Sequence, residues 1–368
     1  MNTMSQAGID VRTSFPRVAT FASPLSVTPP GNGAAPLVGI LQAAAAPLSP
    51  TTFTLQHYVN RVGLVAELSD PGDSVSVLPA FSVYPAAAAA AWASFAANGT
   101  LPSAPAFQPG TPLYVPGSNA FETASAVALH ASIPAGASRT FRFFVSWFAA
   151  DTLVVQPGQD NRTFCGTSDF GKYYHGSFAS LEDVVAYTAS NAAALYADTT
   201  SWHAPFAMST IPAWLASKVI NSAYTLYTQA ILSKGGQFSM MEGGMGGLSG
   251  TMDQRIIAHI LYHKLFPGLD MQELEQFAAV QNSDGSIDHF DAMYYAGITG
   301  TDGAAPLAPQ EYNDNTIGWL YQVAKTVAVT GDVAFAARMA PRVPAALAFL
   351  RSLRKSSAYP NLISGSNT

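Results

Sequence analysis

Residues 122–148, ETASAVALHASIPAGASRTFRFFVSWF, read as two extended runs on either side of a Pro134-Ala135-Gly136 turn. Both runs alternate in polarity, the period at which successive side chains leave opposite faces of a strand. Two such runs about a Pro/Gly turn predict a hairpin of an antiparallel β-sandwich. Working outward toward the N-terminus, TFTLQHYV (52–59) has the same alternating character, and Pro/Gly turns divide the segments. One stretch breaks the pattern. In YPAAAAAAWASFAANGT (84–100) Pro85 stands at a first helical position, six alanines follow and Gly99 closes the run, which predicts a short helix near 85–97. Residues 1–165 are therefore expected to form a β-sandwich domain.

Toward the C-terminus the period becomes helical. Ser180 with Asp183 three places on predicts a helix to about Ala197, and Pro212 starts another to about Leu232. MDQRIIAHILYHKLF (252–266) reads as helix until Pro267. Asp270 with Glu273 has capping-box spacing ahead of MQELEQFAAVQ, Asp314 or Asn315 opens TIGWLYQVAKTVAV, and Gly331 closes it before a last helical stretch over 333–354. Helices that recur in pairs, with polar residues in their loops, suit a solenoid or a barrel of paired helices. Residues 166–368 supply too few for six pairs, so the helical half is expected to be incomplete.

The charge balance narrows the function. Only 11% of residues are charged while 49% are apolar, so the chain is a folded one and each charge is informative. A net charge of −6, with 17 basic residues and no basic cluster, gives no footprint for nucleic acid. Cys165 is the only cysteine, which excludes an internal disulfide and a thiolate metal cluster. The opening MNTMSQAGIDVRTSFPRV lacks an apolar run behind a basic start, and no segment reaches the roughly 18 apolar residues of a spanning helix. The chain is expected to be soluble, with its compartment open between cytoplasm and export.

The chemistry concentrates in GGQFSMMEGGMGGLSGTMDQR (235–255), where Glu242 stands among glycines and Asp253 follows eleven residues later. Glycines let a ligand approach the backbone, but no phosphate-loop or dinucleotide pattern accompanies them, and a lone Glu there suits a solvated loop tip equally well. Asp284, Asp288, His289, Asp291, Asp314 and Trp319 are further polar or aromatic residues on or near loops, the types that bind sugars and cut glycosidic bonds. Each also has a plain structural reading, Asp314 as a helix cap and Asp284-Gly285 as a turn among them. His259 and His263 sit at i, i+4 without the glutamate of a metalloprotease helix. Ser249 lacks the spacing of a nucleophile elbow, and Cys165 with His175 suits packing better than catalysis.

Residues 211–289 resemble the catalytic domain of glycoside hydrolase family 116, the non-lysosomal glucosylceramidases and bacterial β-glucosidases. The likeness is carried by Asn221-Ser222 on a proline-led helix, the Glu-bearing glycine loop, Gly-Thr-x-Asp (Gly250 to Asp253), Phe266-Pro267, and Asp-Gly-x-Ile-x-His (Asp284 to His289). FRFFVSWFAAD and GKYYHGSFASLEDVVAY resemble that family's last sandwich strand and its bridge to the helices; likeness is good over about 140–335 and poor before 80. The resemblance implies an N-terminal β-sandwich followed by an (α/α)6 barrel and a retaining β-glycosidase acting on a β-glucoside, oligosaccharide or glycolipid, without cofactor or metal. It places Glu242 at the nucleophile, and Asp253, His289 and Thr251 at sugar-binding positions. The general acid belongs to a Thr-x-Asp motif whose threonine would be Thr368, so this polypeptide is expected to be inactive on unactivated glycosides. Two alternatives stand beside it: an inverting barrel glycosidase of glucoamylase type, and a non-catalytic carbohydrate-binding or scaffold protein.

Overall fold

The computed structural model describes residues 20–31, 33–44, 55–56, 60–82, 85–102, 111–112, 123–149, 154–155, 172–223, 230–240, 252–289 and 313–353. They fall into two compact units, one comprising the described residues up to 155 with 174–204, the other 172–173 and 205–353. Antiparallel sheets dominate the first and helices the second, a mixed β and α architecture.

The first unit is built on a five-stranded antiparallel sheet in the order β6-β1-β2-β4-β8, with β1 Thr20–Val27, β2 Leu37–Ala44, β4 Asn60–Glu67, β6 Thr111–Pro112 and β8 Phe143–Ala149. A second layer pairs β5 (Ser74–Ser82) with β7 (Thr123–His130). Of TFTLQHYV the described part is β3 (Leu55–Gln56), paired with β9 (Val154–Val155).

The 122–148 stretch holds two strands, but they do not form a hairpin: β7 joins β5, and β8 joins β4 in the other sheet. Alternation assigns faces and is silent on partners. The Pro134 turn exists, with Ala137 N donating to Pro134 O at 3.0 Å and Gly136 at φ +77°. Residues 131–142 then have the length to carry the chain across the roughly 10 Å between packed layers.

On β8 the alternation is explicit. Phe144 and Phe148 turn inward, while Phe143, Val145 and Trp147 are exposed. The inward pair joins Leu25, Val27, Leu37 and Val65 beneath Leu181 and Val185 of helix α2 (Leu181–Ser190). Gly63 makes this fit, because a Cβ there would lie 3.0 Å from Leu25 and 3.2 Å from Leu181. The opposite face carries Ala22 and Ile40 with Leu64 and Val127 of β7. Helix α1 runs Pro85–Asn98 and closes at Gly99, φ +74°, whose N–H donates to Phe95 O at 2.7 Å.

Ser180 caps α2 as its spacing predicts: its Oγ accepts from Asp183 N at 3.2 Å, and Asp183 accepts from Ala179 N at 2.9 Å. The helix does not run unbroken to Ala197. Asn191 leaves helical geometry and its side chain donates to Tyr187 O, after which α3 (Ala192–Ala207) begins.

In the second unit α4 covers Ala213–Ser222. The expected continuation to Leu232 is overturned, because Ala230–Leu232 is strand β10, paired antiparallel with β11 (Phe238–Met240). A short apolar run such as AIL is ambiguous between helix and strand, and the turn at Ser233–Gly236, with Gly236 N donating to Ser233 O, decides it. Helices α5 (Met252–Leu265), α6 (Pro267–Ala279) and α7 (Asn313–Thr330) pack round Met252, Leu274, Phe277, Trp319 and Val323. Gly331 ends α7 at φ +67°. The final stretch is two helices, α8 (Val333–Met339) and α9 (Val343–Leu353), interrupted about Pro341, which cannot donate a backbone hydrogen bond.

Asp270 and Glu273 form no capping box. Their helix starts earlier, at Pro267, and both carboxylates are buried inside it. Among the described residues no single helix is long and apolar enough to cross a membrane.

Candidate functional site

Two segments meet at the start of α5. The backbone N–H of Met252 donates to the carbonyl of His289 at 2.7 Å, and the ring Nε2 of His289 lies 3.1 Å from Oδ1 of Asp253. Residues 36 apart in sequence are thus held side by side. The Asp253 side chain is 41% exposed and that of His289 15%, so the carboxylate presents an open edge while the imidazole is tucked behind it. A half-exposed carboxylate oriented by a neighbour is suited to accept hydrogen bonds from vicinal hydroxyls.

The segment carrying His289 is fixed locally. Gly285, φ +94°, turns the chain so closely against α9 that a Cβ there would sit 2.2 Å from the backbone O of Ala345. Asp284 accepts from Ser286 N at 2.9 Å and Ser286 Oγ at 2.7 Å, the turn its Asp-Gly sequence predicts. Ile287 N donates to Thr316 Oγ1 of α7 at 3.0 Å. Asp288 is buried and accepts from Asn282 Nδ2 at 2.8 Å; burial pushes its carboxyl above the usual range, against the lowering effect of that hydrogen bond.

Beneath this pair lies a buried polar network. Arg255, one helical turn into α5, is 1% exposed. Its Nε donates to Glu273 Oε2 at 2.6 Å, its Nη2 to Asp270 Oδ1 at 2.6 Å and Asp270 O at 2.8 Å, and its Nη1 to Gln322 of α7. The remaining oxygen of Glu273 accepts from Ser239 Oγ at 3.1 Å and Met240 N at 2.9 Å. Gln276 and Gln272 donate to Phe238 O at 2.7 Å and Gly236 O at 2.6 Å, so one face of α6 grips the whole of β11. Tyr262, its ring centroid 5.0 Å from that of Phe238 and tilted against it, has its hydroxyl pushed up to about 12 by burial and by the charge of Glu273.

The sequence-predicted residues divide as follows. Asp253 and His289 come together. Glu242, Thr251, Thr368, Asp291, Ser249 and Cys165 lie outside the described residues, as does the side chain of His259. Trp319 is not a sugar platform: it is fully buried and donates Nε1–H to Leu274 O at 3.1 Å. Asp314 lies in the first turn of α7, and His175 packs against Phe148 and edge-on to Tyr174, with Nε2 2.7 Å from Ala149 O. Among the described residues no group of three or more His, Cys, Asp or Glu is placed to hold a metal ion. Sequence reasoning missed the Arg255 network. Its signal was a lone arginine in an apolar helix of a charge-poor chain.

No curated protein matches the chain. Residues 38–195 match the family model described as beta-glucosidase 2, glycosyl-hydrolase family 116, N-terminal. That span begins well before residue 80, where the likeness by motif was poor, and ends before Glu242, Asp253 and His289.

Proposed function

From the match of residues 38–195 to the N-terminal model of glycosyl-hydrolase family 116, we propose that the chain carries the nucleophile side of a retaining β-glycosidase of β-glucosidase or glucosylceramidase type. The helices after residue 165 form part of an (α/α)6 barrel in this reading, and the substrate is a β-glucoside. The supporting observation is the contact of His289 with Asp253 at the head of α5. The site needs a hydroxyl-binding carboxylate near the nucleophile, and Asp253 follows Glu242 by eleven residues.

Glu242 attacks the anomeric carbon, the bond to the aglycone oxygen breaks, and a glycosyl ester forms that water later hydrolyses. Asp253, oriented by His289, accepts hydrogen bonds from sugar hydroxyls that strengthen as the ring flattens toward the oxocarbenium-like transition state. Thr251, two residues before Asp253 in sequence, would offer a hydroxyl to the same subsite.

An activated aryl leaving group departs without a proton, so the nucleophilic step is testable on this chain. Incubation with 2,4-dinitrophenyl 2-deoxy-2-fluoro-β-glucoside and peptide mapping should place the adduct on Glu242. An adduct on another residue refutes the assignment. Binding without any adduct supports a carbohydrate-binding protein instead.

A further inference from the structure

Glu273 reaches two segments at once. Oε1 accepts from Ser239 Oγ and Met240 N on β11, and Oε2 accepts from Arg255 Nε on α5. Met240 stands two residues before Glu242, and Arg255 stands two residues after Asp253. A single side chain, 1% exposed, therefore joins β11, which ends two residues before Glu242, to α5, which begins at Met252 and carries Asp253. Gln272 and Gln276, one position before and three after it, hold the carbonyls of Gly236, in the turn ahead of that strand, and of Phe238 on it.

We propose that Glu273 is a positioning residue for glycosyl transfer to Glu242, tying strand β11 to the head of helix α5, which carries the hydroxyl-binding Asp253. The inference rests on the β-glycosidase reading above. A carboxylate is required for the task, because it accepts at both oxygens. The amide of a glutamine has the same shape but accepts at one end only; its NH2 would face either the N–H of Met240 or that of Arg255, and one link is lost. Reactions that depend on near-attack geometry lose about a hundredfold for a misplacement of about 1 Å.

The test is the labelling of the full chain by 2,4-dinitrophenyl 2-deoxy-2-fluoro-β-glucoside, followed as dinitrophenolate release. In each event the bond from C1 to the aryl oxygen breaks, a Glu242 carboxylate oxygen bonds to C1, and the phenolate leaves with the electron pair. Glu273→Gln should lower the maximal labelling rate constant about tenfold to a hundredfold, with the probe's half-saturating concentration changed less than about threefold. Met339→Ala is the control, a core truncation on α8, an element that supplies none of the hydrogen-bond partners of Arg255 named above. It should lower the denaturation midpoint and keep the maximal rate within about twofold.

Equal maximal rates for wild type and Glu273→Gln overturn the inference, as does a Met339→Ala variant slowed to the same extent. Should Glu273→Gln not fold, Ser239→Ala removes one contact to the same oxygen and leaves the Arg255 bridge intact. It should slow labelling about threefold, and an unchanged rate again overturns the inference. A wild-type chain that takes no label at Glu242 refutes the β-glycosidase reading itself. A labelled wild type with an unaffected Glu273→Gln removes only the role of Glu273.

Discussion

Replacing Arg255 with methionine isolates what the buried network contributes to stability. Methionine keeps most of the aliphatic volume and removes the guanidinium, leaving Glu273 Oε2 and Asp270 Oδ1 without their 2.6 Å partners in a region where both residues are at most 1% exposed. Glu273 retains its bonds to Ser239 and Met240, and Asp270 retains Thr326 Oγ1 at 3.2 Å, so neither carboxylate is stripped bare. Breaking one buried ion pair costs about 3–5 kcal/mol, chiefly through the uncompensated charge left behind. With two carboxylates sharing this cation, the expected loss is about 4–6 kcal/mol at neutral pH. For a unit of this size that corresponds to a midpoint lowered by roughly 8–24 °C. Arg338→Met is the internal contrast, because Arg338 and Glu275 also pair, at 2.7 Å, but their side chains are 51% and 32% exposed. Solvent screens that pair, and its loss should cost under about 1 kcal/mol. Urea titrations followed by circular dichroism and tryptophan fluorescence measure the loss. A deficit no larger than that of Arg338→Met would refute the reasoning.

Three further outcomes are expected. Asp288→Asn keeps an acceptor for Asn282 and removes a carboxyl whose pKa burial raises above 3.8; wild-type stability should therefore decline with rising pH from about 3.8 up to that raised value, and urea titrations of the variant should show the decline reduced. Gly285→Ala places a Cβ 2.2 Å from Ala345 O at a positive φ, and calorimetry should show a loss of about 3 kcal/mol from strain and overpacking together. Ser180→Ala deletes the cap on Asp183 N, for a loss of about 1 kcal/mol in denaturant titrations, because α2 remains held by Leu181 and Val185.

What could be read in advance follows a physical division. Signals carried by neighbours in sequence were legible. Ser180 caps its helix, Gly331 ends another, Asp284-Gly285 makes its turn, and the alternation of FFVSWF assigns β8 its two faces. Signals that depend on distant partners were not. The pairing of β7 with β5 instead of β8 is set by a connection that crosses layers, which strand patterning does not encode. Asp270 and Glu273 were misread because a spacing of three serves a cap and also aligns two side chains on one helix face, and only Arg255 distinguishes the two. At the candidate site, motif order pointed to Asp253 and His289, and their contact spans 36 residues. The Arg255 network was invisible because its members come from four separate elements, β11, α5, α6 and α7.

The helix covering the first sheet has a consequence for anyone cutting the gene. Leu181 and Val185 seal a surface made of Leu25, Val27, Leu37, Val65, Phe144 and Phe148, yet the chain reaches that helix only after residues assigned to the other unit. An expression boundary drawn at residue 156, where the sheet's last strands are complete, would leave an oily floor without its roof and invite precipitation. A fragment that keeps that floor covered has to run past Ser190, because Ala192 packs on it as well.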